Sequence, residues 1–260
     1  MDVPGTSLII PCHNHADTVA RAVDSGLRQS ALQEILIVDD CSTDASARVC
    51  ADLALRDSRI RVLTTEHNLG PGTARNYGVR AADASHVCFL DADDELLGDF
   101  FGDAHAIMSA DPAVRLVKGD MEYFDPVKGY VLPSFDPRHK SATLSSCCGM
   151  VMERSLFLRL GGFPEDDIFR GPAGGEDVAF MNAVIEHLQP IGRIERPCYR
   201  VWSRGGSHLD KFLGNTRLKS DTFEFCGPEA ARSVDGELER AIEAYRARVT
   251  TLLSANSPVR

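Results

Sequence analysis

The chain has 260 residues, of which 43% are hydrophobic and 25% are charged, and its formal net charge is −10. These proportions are ordinary for a globular protein that is long enough to bury a sizeable core. The negative charge argues against a protein that coats nucleic acid and against a polybasic grip on an anionic membrane. It leaves open an anionic small-molecule ligand, because a metal ion or a few arginines can override the overall sign locally.

The first hundred residues alternate short apolar runs with stretches that place an apolar residue at every fourth position. The apolar runs predict buried parallel strands at Leu8–Ile10, Ile35–Val38, Ile60–Leu63 and Val87–Leu90. The stretches between them predict helices with one apolar stripe each. Strand-helix repeats of this length predict an α/β fold of Rossmann-like type, with a mostly parallel central sheet flanked by helices.

Beyond residue 120 the pattern loosens. Residues 121–146 are rich in Pro, Asp, Gly and Ser and predict a hairpin with loops. Met152–Leu160 predicts a helix that stops at a pair of glycines, and 163–177 predicts a loop long enough to act as a lid. A further helix is expected over Asp177–His187.

The C-terminal segment predicts an amphipathic helical extension. Its apolar residues recur at steps of three and four: Val234, Leu238, Ile242, Tyr245, Val249 and Leu252. This apolar stripe either packs on the rest of the chain or forms a contact between two copies in a homodimer.

The compartment is predicted from cysteine usage and from the apolar runs. None of the eight cysteines lies in a CxxC or in a paired metal spacing, which is typical of reduced thiols. The first fifteen residues lack a basic region followed by a long apolar run, and no stretch approaches 18 consecutive apolar residues. We therefore predict a cytoplasmic protein without a membrane span, and leave peripheral membrane association open.

Polar residues cluster where the predicted strands end. His13 and Asn14 follow the first strand, Asp39-Asp40 follow the second, and Asp91-Ala92-Asp93 follow the fourth. In open α/β sheets, ligands bind beyond the carboxyl ends of the strands, so these residues predict a site. The acids after the fourth strand repel one another unless a positive charge lies among them. They therefore indicate either a solvated loop or a divalent cation.

Six segments together resemble family-2 glycosyltransferases with the GT-A fold. They are "LIIPCHN", "ILIVDDCSTD", "NLGPGTARNYG", "FLDADD", "LGGF" and "GGEDVAF", in the family's order and rough spacing over about residues 6–205. The resemblance implies a nucleotide-diphosphate sugar donor, a divalent metal such as Mn²⁺ or Mg²⁺, and inversion at the anomeric carbon. It also implies a glycosyltransferase domain over 1–225, with a nucleotide-binding half to about 120 and an acceptor half after it, followed by a helix within 226–260.

The resemblance assigns roles to the donor side. It places Asp91 on the ribose and Asp93 on the metal, and Asp94 would either support these ligands from behind or cap a helix. Either Asp39 or Asp40 would meet the nucleobase. The full set that it implies for the nucleotide sugar is Pro11, His13, Asn14, Asp39, Asp40, Arg75, Asp91 and Ala92.

On the acceptor side the resemblance makes Asp177 the catalytic base. Inversion requires the acceptor hydroxyl to lose its proton as it attacks, and a carboxylate within hydrogen-bond reach can take that proton. Glu176 would place the acceptor or the loop, and Gly162-Phe163 would shape the acceptor side. His208 is either a metal ligand or a solvated loop residue, in which case Arg204 or Ser207 could contact the diphosphate.

The leading hypothesis is therefore a metal-dependent, inverting glycosyltransferase that uses a UDP-linked sugar and a hydroxyl-bearing sugar, glycan or lipid-linked acceptor. One alternative is a sugar-phosphate nucleotidyltransferase, although "PCHNHADT" lacks the Gly-rich, basic loop that such enzymes carry after their first strand. The other alternative is a noncatalytic module that binds sugar nucleotides or glycans. Retention of both Asp91-Ala92-Asp93 and Glu176-Asp177 argues against it.

Overall fold

A computed structural model describes residues 5–170, 174–226 and 236–255. Val234 of the predicted C-terminal helix and residues 171–173 of the predicted lid lie outside the described residues.

The first half of the chain forms a parallel sheet with helical crossovers, as predicted. Its strands are β1 (Thr6–Cys12), β2 (Leu32–Asp39), β3 (Ile60–Thr64) and β4 (His86–Phe89), in the spatial order β3-β2-β1-β4. Its helices are α1 (Val19–Leu27), α2 (Ser46–Arg56) and α3 (Pro71–Ala81). The apolar runs are continuous because both faces of the sheet are covered: Leu8, Ile9 and Ile10 are all fully buried.

Close packing of α3 on the sheet depends on a residue without a side chain. A Cβ on Gly78 would lie 2.5 Å from Cγ2 of Ile9, which is shorter than real Cβ contacts. The helix therefore approaches β1 more closely than any other residue type would allow. This approach brings Arg75, one turn earlier on the helix, up to the carboxyl ends of β1 and β4.

The second half extends the same sheet with mixed strand directions. Its first elements are β5 (Glu95–Leu96), α4 (Phe100–Ala110), β6 (Leu116–Asp125), β7 (Tyr130–Val131), α5 (Pro137–Ser145), β8 (Met150–Glu153) and α6 (Arg154–Arg159). A 3₁₀ turn (Asp167–Arg170), α7 (Glu176–His187), β9 (Gly192–Trp202), α8 (His208–Gly214), β10 (Thr216–Lys219), β11 (Thr222–Phe225) and α9 (Gly236–Ala255) follow. In the described residues the main path of the sheet runs β3-β2-β1-β4-β8-β6-β9-β5, with β8 antiparallel to both neighbours.

Two predictions for this half were wrong in detail. The predicted helix over Met152–Leu160 begins only at Arg154, because Met150–Glu153 forms a strand that pairs with β4 and β6. The segment 121–146 contains the predicted hairpin, but it also contains α5. The sequence carried a signal for that helix: the Asp136 side chain accepts a hydrogen bond from the backbone N–H of Arg138, and Pro137 takes the first helical position.

The C-terminal helix α9 packs on its own chain. Tyr245 and Val249 are buried, and the Tyr245 hydroxyl donates a 2.6 Å hydrogen bond to the backbone carbonyl of Gly162. Its neighbours are α7 and the 3₁₀ turn. Among the described helices, α9 included, none is both long and apolar enough to cross a bilayer. A homodimer through α9 stays a prediction, and it would have to use the residues that this intrachain contact leaves free.

Candidate active site

A cavity of about 650 Å³ opens where β1, β2 and β4 end. Helices α5, α7 and α8 supply its opposite walls. Ten of the residues that the sequence assigned to a site line this cavity: Pro11, His13, Asp40, Arg75, Asp91, Ala92, Asp93, Glu176, Asp177 and His208. The topology therefore brings together residues that lie up to 197 positions apart in the chain, between Pro11 and His208.

Arg75 forms the buried centre of the site. It is 4% exposed, and its two terminal nitrogens donate to Oδ1 of Asp91 at 2.6 Å and to Oε1 of Glu176 at 3.0 Å. Its guanidinium lies 5.4 Å from the ring centre of Phe163, where a cation–π contact is favourable. One arginine thus ties the end of β4 to the start of α7, and it fixes the position of the neighbouring Asp177.

Asp177 has the protonation behaviour expected of a general base. Burial, together with the negative charge of Glu176, raises the pKa of Asp177 to about 7. Its Oδ1 accepts a 2.8 Å hydrogen bond from the backbone N–H of Val178. A carboxyl group with this pKa is about half deprotonated at neutral pH, so it can accept a proton from a substrate and release it again.

The raised pKa also predicts a pH-dependent stability difference for Asp177→Asn. The unfolded carboxyl titrates near pH 4, whereas the folded one titrates at about 7. Wild type therefore loses stability relative to the neutral asparagine variant as the pH rises through this window. We expect the difference in melting temperature, variant minus wild type, to increase between pH 4 and pH 7 and to stay constant above pH 7. The exposed Asp167→Asn should show no such trend, and an equal trend in both variants would contradict the interpretation.

The acids after β4 are incompletely compensated by positive charge. Oδ2 of Asp93 pairs with Nη2 of Arg204 at 2.6 Å, and burial, followed by the charge of Asp91, raises the pKa of Asp93. Asp94 is 3% exposed and accepts a 3.3 Å hydrogen bond from the backbone N–H of Trp202. Burial and the charges of Asp93 and Asp91 raise its pKa well above the usual range. The cluster would be stabilised by an additional cation.

The donor atoms fit a hard divalent cation. In the described residues, Asp91, Asp94 and Cys148 offer ligand atoms that all lie within 4.8 Å of one another. The carboxylates suit Mg²⁺ or Mn²⁺, which prefer oxygen ligands. Hydrogen bonding to Cys147 and burial raise the pKa of Cys148, so this thiol stays protonated and is a poor ligand. The structure thus places the carboxylates of Asp91 and Asp94 together. The sequence instead predicted Asp93 and His208 as metal ligands. In the structure Asp93 pairs with Arg204, and His208 packs beside Gly174.

Asp40 holds the part of the cavity wall at the end of β2. Its carboxylate accepts hydrogen bonds from the Thr65 hydroxyl at 2.7 Å and from the backbone N–H groups of Leu69 and Gly70 at 2.9 and 2.8 Å. Asp40 therefore orders the loop before α3. The imidazole Nδ1 of His13 lies 2.8 Å from the Asp40 carbonyl, which orients this ring in the cavity wall.

Four predicted site residues do not line the cavity. Asp39 is buried and accepts from the backbone N–H of Ser42 at 3.2 Å, while Oδ1 of Asn14 accepts from Thr43 N–H at 2.8 Å. Phe163 packs in the core between other phenylalanine rings, and Gly162 lies beneath α9. These residues shape the loops and the floor of the site from behind its wall.

Several wall residues were missed by the sequence reasoning. They come from β6, α5, the 3₁₀ turn and the end of β9, and include Met121, Ser141, Ser145, Phe169, Arg170 and Trp202. His15 also lines the cavity, where its Nδ1 lies 3.2 Å from Nη1 of Arg204. The Asp-Pro start of α5 was a readable signal, but no local pattern indicates that this helix faces the ends of β1 and β4.

The sequence model described as "Glycosyl transferase family 2" matches residues 7–152, which is more than half of the chain. The chain belongs to glycosyltransferase family 2. The match covers the parallel half of the sheet, Arg75 and the acids after β4, and it ends within β8. Family membership argues against the nucleotidyltransferase alternative.

Curated relatives of this family member carry the same segment within longer proteins. The succinoglycan biosynthesis protein ExoO of Rhizobium meliloti (strain 1021) is 40% identical over 98 residues, covering 37% of this chain and 28% of that protein. The O-antigen biosynthesis protein RfbC of Myxococcus xanthus is 30% identical over 205 residues, covering 76% of this chain and 16% of that protein. The matched region is thus less than a third of either relative's length.

Solved structures confirm the GT-A fold. S. aureus TarS 1–349 in complex with UDP-GlcNAc superposes with a TM-score of 0.64 at 20% identity, covering 97% of this chain and 73% of that one. GalNAc-T7 with UDP, GalNAc and Mn²⁺ gives a TM-score of 0.58 at 20% identity, covering 77% and 44%. At this identity the likeness establishes the fold alone.

Proposed function

We propose that this glycosyltransferase is a metal-dependent, inverting enzyme that moves one sugar from a UDP-sugar to an acceptor hydroxyl in polysaccharide or glycoconjugate assembly. The observation that carries the proposal is Asp177, whose pKa is about 7, in one cavity with the acids after β4. The names of the relatives, succinoglycan and O-antigen biosynthesis proteins, support the product class. The UDP-GlcNAc in TarS supports the donor class.

The donor would lie along the ends of β1, β2 and β4. Asp91 and Asp94, joined by Asp93 once Arg204 has left it, would hold Mn²⁺ or Mg²⁺, which would supply Lewis-acid stabilisation of charge on the departing diphosphate. Arg75 is already neutralised by Asp91 and Glu176, so its main role is to hold these acids in place. Arg204 is partly exposed, and Gly205 and Gly206 follow it at positive φ. Because glycine backbones can adopt many conformations, this loop would let Arg204 leave Asp93 for the donor phosphates.

The acceptor would approach from the wall built by α5, the 3₁₀ turn and α8. Asp177 faces this space from the start of α7 and would take the proton of the attacking hydroxyl. Ser141 and Ser145 offer hydroxyl groups to the same space, which suits a sugar acceptor. In this proposal, residues up to about 120 bind the donor, and the following residues up to about 225 bind the acceptor.

The proposal is tested by calorimetric titration of UDP with and without Mn²⁺, followed by nucleotide release from a panel of nucleotide sugars. We expect Asp93→Asn to weaken Mn²⁺-assisted UDP binding at least about tenfold, because a carboxylate ligand to a hard cation is lost. Asp52→Asn, an exposed acid of α2, is the matched control and should bind as wild type does. A larger loss of Mn²⁺-assisted UDP affinity in Asp94→Asn than in Asp93→Asn would identify Asp94 as the main metal ligand. Unchanged Mn²⁺-assisted binding in every acid variant would reject the metal site. Binding without turnover of any donor would favour the noncatalytic module.

A further inference from the structure

Exposed apolar side chains concentrate in two hairpins. Outside these hairpins, the well-exposed large apolar residues of the described chain are scattered on separate elements, as for Leu55 and Leu158. The two hairpins, with the turn that joins the first of them to α5, carry six more: Val127, Tyr130, Val131, Phe135, Leu218 and Phe225. Val127 is 93% exposed and Phe135 is 87% exposed, so these side chains protrude into solvent. Grouped exposure of this kind marks an interaction surface.

The two hairpins lie side by side. The first, β6–β7, leads directly into α5, and α5 packs against β11 of the second. The hydroxyl of Tyr123, on β6, donates a 2.7 Å hydrogen bond to Asp210 of α8, and α8 packs on β10. We call the protruding residues Val127, Val131, Phe135, Leu218 and Phe225 the apolar rim.

The apolar rim borders the cavity. Ser141 and Ser145 of α5 line the cavity on one side, and Phe212 of α8 lines it next to them. The Phe212 ring also contacts the ring of Phe225, with 6.0 Å between centres. A partner that covers the rim would therefore lie next to the wall from which the acceptor is expected to approach.

Basic residues surround the apolar rim although the chain as a whole is acidic. The exposed ones are Lys128, Lys140, Lys211, Arg217 and Lys219. Lys128 pairs with Asp125 and Lys219 with Glu224, whereas Lys140, Lys211 and Arg217 have no ion-pair partner among the described residues. These three unpaired basic residues give the surface beside the rim a local positive charge, which complements an anionic partner.

We propose that the apolar rim binds the surface of an anionic lipid bilayer. Separate protruding apolar side chains can enter the interface between head groups and acyl chains, while lysines beside them contact the anionic head groups. A second copy seated on the same rim would place these lysines against one another, which disfavours a symmetric dimer here. Bilayer binding would hold the cavity at the membrane. If the proposed function is correct, the acceptor hydroxyl would then belong to a lipid-linked molecule.

The test is sedimentation of the whole chain with phosphatidylcholine vesicles, with and without phosphatidylglycerol. Wild type should bind the anionic vesicles, and added salt should weaken this binding. Val127→Ser/Phe135→Ser should lower the fraction of protein bound to vesicles at least about tenfold, because two apolar side chains that would enter the bilayer are lost. The matched control is Leu55→Ser on α2, which removes a side chain that is equally exposed at 87%. It should bind as wild type does.

Equal binding of the double variant and wild type, or no binding of wild type to anionic vesicles, overturns the proposal. A change in oligomeric state of the double variant, measured by light scattering, would also overturn it in favour of a second copy. Release of UDP from soluble donor should be the same in the double variant and wild type. Vesicle binding thus tests the bilayer inference and UDP release tests the proposed function. Either result can fail while the other holds, so the two failures can be told apart.

Discussion

Asp177→Asn is expected to lower kcat by about 10²–10⁴-fold without a matching loss of UDP affinity, because it removes proton transfer in the transition state. Asparagine keeps the shape of the side chain and an oxygen that can accept from Val178 N–H, so the start of α7 should stay intact. Nucleotide release and UDP titration on the same preparation separate the two effects. The matched control is Asp167→Asn, an exposed acid in the 3₁₀ turn, which should keep wild-type kcat.

The proposed role of Asp177 as the base also predicts the pH profile of wild type. Protonation of Asp177 removes the base, so kcat/KM should fall as the pH drops below about 7. A bound cation or Arg204 nearer to Asp177 would shift the midpoint downward, because positive charge favours the carboxylate. The residual activity of the asparagine variant should lack this fall in kcat/KM at low pH. A variant with near wild-type kcat, or one whose kcat/KM still falls at low pH, would exclude Asp177 as the base.

Arg75→Met is expected to lower the free energy of unfolding by about 3–5 kcal/mol, because it leaves a buried acid without its counter-charge. Glu176 is almost fully buried and loses the donor to its Oε1, while Asp91 can still be hydrated from the cavity. The measurement is equilibrium denaturation by urea, monitored at constant pH. Loss of this arginine should also loosen the link between the end of β4 and α7.

The control for Arg75→Met lies on the same helix. Arg80 is 55% exposed and pairs with Glu165 at 3.5 Å, so Arg80→Met should cost no more than about 1 kcal/mol. Adding Glu176→Gln to Arg75→Met should recover part of the loss, because the uncompensated charge is removed. Equal costs for the two arginines, or no recovery in the double variant, would contradict a buried ion-pair role for Arg75.

The parallel half of the fold was predictable because its signals are local. A strand that is buried on both faces must be a continuous apolar run, as Leu8–Ile10 is, and a helix that covers it must carry one apolar stripe. Parallel strands also end at one edge of the sheet. It follows that His13, Asp40 and Asp91 could be expected in a single cavity before any coordinates were known.

The second half of the chain was less predictable because its elements are specified by their neighbours. Met150–Glu153 is apolar enough for a helix or a strand, and only the open edges of β4 and β6 on either side make it a strand. Likewise, α5 carries an ordinary helix start at Asp136-Pro137, but its position opposite the strand ends depends on contacts with α7 and β11.

The sequence by itself determined the family, the parallel sheet and the acids that end its strands, since each depends on residue types at short spacing. Tertiary structure alone decided how those acids are charged and paired. Asp93 meets Arg204 from 111 positions away, and Asp94 is enclosed behind it. Asp177 reaches a pKa of about 7 because the fold buries it beside Glu176. Burial and long-range charge contacts set these properties, and neither is encoded in the spacing of neighbouring residues.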